Sequence, residues 1–60
     1  MYARINTFTP RNDQEAQFAW ELELSHNLNF SGHIVKGMFQ SLAEVLQVVD
    51  DNGHYLVSVA

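Results

Sequence analysis

Apolar and polar positions alternate without a break from Gln17 to Ser25: Phe18, Trp20, Leu22 and Leu24 fall on one parity, and Gln17, Ala19, Glu21, Glu23 and Ser25 on the other. Successive side chains of an extended strand point to opposite faces. The pattern therefore predicts a strand over residues 16–25 with a heavy apolar face and an opposite face bearing two carboxylates. Upstream, residues 2–9 are rich in β-favouring types and contain neither Gly nor Pro, which predicts a first strand with Ile5 inward, since the other choice would bury Arg4 and Asn6. Between them, Pro10 lacks a ladder donor and Arg11 to Glu15 contains no apolar residue. A link this short is a turn, and it favours an antiparallel return over a parallel crossover.

Asn27 and Asn29 suit a reversal, after which Phe30 to Lys36 is expected as a third strand that Gly37 breaks. A helix opening at Ser31 is the weaker reading there, because glycines at 32 and 37 flank β-branched residues. The helix signal is sharper at Ser41, followed three residues later by Glu44 in the reciprocal capping pattern, with Leu42, Val45, Leu46 and Val49 forming an apolar stripe. This predicts a helix from Leu42 to about Asp51, ended by Asn52 or Gly53. A competing hairpin would pair Leu46 to Val49 with Tyr55 to Val59 across Asp51-Asn52-Gly53. The helix is preferred because capping box and stripe coincide. His54 to Val59 closes the chain as a fourth strand, with Tyr55, Val57 and Val59 on one face.

The expected architecture is one α+β domain over residues 1–60, in the order β-β-β-α-β, with an antiparallel-rich sheet and a single amphipathic helix packed on one face. A chain of 60 residues buries only roughly 60% of the surface that its unfolded form exposes. No cysteine is present to supply a disulfide or a thiolate metal cluster. Four Phe, two Tyr and one Trp are a large apolar load for so short a chain. Part of that load, with Phe8, Trp20 and Phe39 as candidates, is expected at an interface, with dimerisation the leading form.

The balance of seven acidic against three basic residues gives a formal charge of -4. That sign disfavours nucleic acid, whose affinity rests on cations, and suits a basic or neutral protein partner. No stretch reaches the eighteen apolar residues that a membrane span requires, and Met1 to Phe8 lacks the apolar run of a secretory signal. Absence of cysteine agrees with a cytoplasmic location, and the initial Met fits a complete gene product.

Candidate chemistry is sparse. His26, His33 and His54 match no compact metal motif, and Asp50-Asp51-Asn52-Gly53 lacks the alternating oxygen ligands and closing Glu of a calcium loop. On an extended strand the Glu21 and Glu23 side chains would stand about 6.5–7 Å apart, inside the range of sugar-cleaving pairs. Both are expected on a solvated face in a chain with little room for a sugar cleft. No serine has an activating neighbour in the sequence, and Gly32 and Gly37 form no phosphate cradle.

The expectation is a non-enzymatic, cofactor-free and metal-free protein-interaction module: a regulator, inhibitor or assembly subunit. It would act through an aromatic surface (Phe8, Trp20, Phe39) flanked by Glu21 and Glu23, or through an edge strand drawn from residues 16–25 or 54–59. The alternative is a dimeric nucleic-acid-binding regulator using Arg4, Arg11 and Lys36.

Overall fold

The computed structural model describes residues Met1–Ala60. Strands β1 (Tyr2–Thr7), β2 (Trp20–Ser25) and β3 (Ile34–Phe39) precede helix α1 (Leu42–Asp51), and β4 (Tyr55–Val59) follows it. The sheet order is β3-β2-β1-β4, with β1-β2 and β2-β3 antiparallel and β1-β4 parallel. Helix α1 is thus the crossover that carries the chain from one edge of the sheet to the other. Its ten residues settle the competition at Val45 to Val49 in favour of helix.

Both ends of the helix are closed by local chemistry. Ser41 stands in extended backbone and its Oγ accepts the Glu44 amide at 3.2 Å, satisfying one of the free donors of the first turn. At the other end the His54 amide donates to Val49 O at 3.0 Å and the Gly53 amide to Asp50 O at 3.1 Å. That paired return requires the left-handed conformation at Gly53, whose φ is +67°.

Register decides which residues meet beneath the helix. Ala3 faces Leu24 and Ile5 faces Leu22 across β1-β2, while Leu56 lies beside Ala3 on β4. With Val45 and Val49 from α1 these β1 and β2 residues form the buried core, against which Trp20, Phe39, Leu42, Val48 and Leu56 pack. Leu46, expected in the buried stripe, is exposed, so the stripe is centred on Val45 and Val49.

Three expectations are corrected in detail. The third strand begins at Ile34, not Phe30, and runs through Gly37 to Phe39. Phe30 and Gly32 both adopt positive φ, which ends any extended run there, whereas Gly37 opposes Leu22 in an intact ladder beside a bulge at Lys36. The second strand is shorter than its alternation implies, because residues 13–17 form a turn in which Asn12 Oδ1 accepts the Glu15 amide at 3.0 Å. In β4 the alternation of Tyr55, Val57 and Val59 is broken by a bulge: Leu56 pairs with Ala3 and Ser58 with Arg4, leaving Val57 as the extra residue.

A 60-residue domain has roughly 3–9 kcal/mol of stability to lose. Leu22→Ala is expected to remove about 2–5 kcal/mol by emptying a fully enclosed site, and Ser41→Ala about 1 kcal/mol by uncapping α1. Urea unfolding followed by circular dichroism measures both, and a loss below about 1 kcal/mol at Leu22 would contradict its place at the centre of the core.

Candidate functional site

The face of the sheet opposite α1 has no helix over it, and its centre is polar. Tyr2, Arg4 and Asn6 of β1 stand opposite Ser25, Glu23 and Glu21 of β2, with Val35 and Met38 of β3 beyond them. Glu23 is nonetheless only 7% exposed. Its carboxylate accepts from Arg4 Nε at 3.3 Å and Arg4 Nη2 at 3.1 Å, from Asn6 Nδ2, and pairs with His33 Nε2 at 3.0 Å. Burying a carboxylate is tolerated when its oxygens are this fully partnered. The expectation that both carboxylates lie on a solvated face is corrected here for Glu23.

The loop between β2 and β3 roofs this cluster. Ser25 Oγ accepts the Asn27 amide at 3.1 Å and donates to Ser31 O at 3.3 Å, while Asn27 Nδ2 donates to the same carbonyl at 3.2 Å. These bonds fold residues 26–33 back over the sheet. Phe30 is held at φ +57° and is 5% exposed, with the Arg4 guanidinium 4.3 Å from its ring centroid. A left-handed backbone at a bulky residue costs about 1–2 kcal/mol, which ring burial and the cation–π contact offset.

Beside this cluster the open face carries a groove of about 460 Å³ lined by Phe8, Thr9, Arg11, Glu21, Val35, Gly37 and Met38. Phe8 and Glu21 are half-buried there, while Val35 and Met38 are exposed. Arg11 on the rim is engaged with Glu15 through Nε at 3.2 Å and Nη2 at 3.0 Å. Those bonds hold the Glu15 carboxyl below its usual range and raise the Arg11 guanidinium further. Glu21 takes part in none of the chain's ion pairs.

The sequence candidates are therefore divided between two faces. Trp20 and Phe39 oppose each other across β2-β3 on the helix side, each half-buried against the core. Phe8 lies on the other side with Glu21, and Glu23 is spent within the cluster. Of the three cations proposed for nucleic acid, Arg4 and Arg11 are ion-paired within the chain and only Lys36 stands free, at the β3 bulge. No three His, Cys, Asp or Glu side chains converge as a metal site. The parts that sequence reading missed are the buried role of Glu23, with Arg4, Asn6 and His33 around it, and the roof residue Phe30. Arg4 on one arm of an antiparallel pair and Glu23 on the other were the available signal, which only the register converts into contact.

His54 lies between the end of α1 and the start of β4, with Nδ1 buried and unpartnered. Burial lowers its pKa from 6.5, and repulsion from the N-terminal ammonium and Lys36 adds to the shift.

Two outcomes follow from this geometry. Glu23→Gln is expected to destabilise the fold by about 1–3 kcal/mol, since it weakens a buried charge-assisted cluster, and Glu21→Gln by less than about 0.5 kcal/mol; equal effects in urea titration would contradict the assigned burial. For His54 the unfolded chain binds its proton at higher pH than the folded chain. Its contribution to stability is thus complete above 6.5 and declines as pH falls through the lower folded value. An imidazole titration by NMR that places His54 at or above 6.5 would reverse that sign.

No protein-family model, curated protein or solved structure matches the chain.

Proposed function

We propose that the chain is a small acidic protein-interaction module that works as a homodimer joined along β4. The observation that carries this reading is the character of one edge. β4 lies outermost beside β1, and its residues Tyr55, Val57 and Val59 are 67%, 39% and 44% exposed. An edge strand offers a row of unpaired backbone donors and acceptors, and natural edges are commonly blunted by charge, Pro or a bulge that turns the strand away. Both edges carry a bulge, at Lys36 in β3 and at Val57 in β4, and they differ in charge: β3 carries Lys36, whereas Tyr55–Val59 carries no charge at all. Two copies of a chain of charge -4 repel each other, so contact is least costly where charge is absent.

The other strand named from the sequence, residues 16–25, is excluded as a pairing edge because β2 is flanked on both sides by β1 and β3. Antiparallel pairing of two β4 strands brings the uncharged edge Tyr55–Val59 of one copy against the same edge of the other, a self-complementary contact made through the backbone. It would join two four-stranded sheets into one of eight strands. Because a five-residue edge buries less than a standard interface of about 1,200–2,000 Å², the expected dissociation constant is roughly 1–100 µM.

Sedimentation equilibrium over a concentration series tests the proposal. The native chain is expected to pass from 6.9 kDa to twice that mass, and Val57→Lys to stay at the lower mass with an unchanged circular dichroism spectrum. A native chain that remains at 6.9 kDa at millimolar concentration rejects the homodimer.

A further inference from the structure

We infer that the groove on the open face takes a basic side chain presented by an extended segment of another protein, with Glu21 as the group that receives the cation. The groove is about 460 Å³, toward the lower end of the range of ligand clefts and roomy enough for one long side chain. Its walls are apolar, from Phe8, Val35 and Met38, and Glu21 sits half-buried between them on β2, directly across from Met38 of β3. Of the nearby cations Arg11 is matched by Glu15 and Arg4 by Glu23, and Lys36, at the β3 bulge, forms no ion pair with Glu21. Glu21 is therefore a carboxylate without an ion-pair partner in a partly desolvated slot. That arrangement suits an aliphatic stem capped by a cation, since the stem covers Phe8 and Met38 while the head meets the carboxylate.

The β3 edge gives such a segment a short track over residues 37–39, beyond the Lys36 bulge. β3 is outermost beside β2, and Val35 and Met38 are exposed on the groove side of it. An added strand along β3 would hydrogen-bond through its backbone and place alternate side chains over the open face, so that one of them reaches Glu21. The overall charge of -4 attracts the same class of partner at longer range. This site lies on the edge opposite β4, so it stands or falls separately from the homodimer.

The probe is an acetylated, amidated five-residue peptide of alternating threonine and valine with a central arginine, compared with the same peptide carrying central leucine or central glutamate. Each is titrated to millimolar concentration into the isotopically labelled Val57→Lys variant, which removes competition at β4. Amide shifts at Glu21, Val35, Gly37 and Met38 are expected with the arginine peptide, and binding at least fivefold weaker with the other two. Glu21→Gln should abolish that preference while leaving the unfolding midpoint in place. Equal shifts from all three peptides, shifts confined to β4, or no shift at the groove each overturn the assignment.

Discussion

The structure turns on the pairing of Arg4 with a buried Glu23 across β1 and β2. A ten-residue helix covers one face of a four-stranded sheet and leaves the other without a layer. On that second face a row of exposed apolar side chains would invite association, and a row of solvated ones would contribute no burial. The chain instead encloses a carboxylate and brings an arginine, an asparagine and a histidine to it from two different segments. An ion removed from water carries a penalty of several kcal/mol, which falls only when donors fill its lone pairs. The interaction therefore acts as a condition on geometry: it is favourable in one register of β1 on β2 and strongly unfavourable when shifted by a residue.

That condition extends to the loop over residues 26–33. His33 reaches the carboxylate from the end of the loop and Phe30 lies on the guanidinium, so the loop is anchored twice by the same ion pair. The hydrogen bonds around Ser25 and Asn27 then set the backbone that makes both contacts simultaneous. Without its own secondary structure this segment still serves as the missing layer. The groove lies beside that cover, where Phe8, Glu21 and Met38 line a part of the open face with both depth and apolar walls.

Much of the architecture was legible in the residues because local and long-range preferences agree. Ser41 and Glu44 mark the helix start at the position where Val45 and Val49 begin to recur, and Gly53 supplies the conformation that the helix end needs. The order of elements follows. Alternation also assigned Ile5, Leu22 and Leu24 to one face correctly, since a period of two is a property of the strand itself. What could not be read depends on neighbours distant in sequence. Glu23 alternates with leucines as any solvent-facing residue would, and only its partner strand and a loop ten residues later make it interior. Likewise the start of β3 at Ile34 follows positive φ at Phe30 and Gly32, a conformation whose cost at a bulky aromatic is offset by burial of the ring against the Arg4 guanidinium. The bulge at Val57, which changes the facing of Ser58 and Val59, leaves no trace in composition.

The parallel pairing of β1 with β4 has a kinetic meaning. Residues near the first amide and the last are neighbours, Tyr55 donating to Met1 O at 2.9 Å and Ala60 to Ile5 O at 2.8 Å. Closing so long a loop carries an entropic cost that the adjacent antiparallel strands do not face. The antiparallel pairings of β1, β2 and β3 are therefore expected to form ahead of β4, and until β4 docks the outer side of β1 is bare.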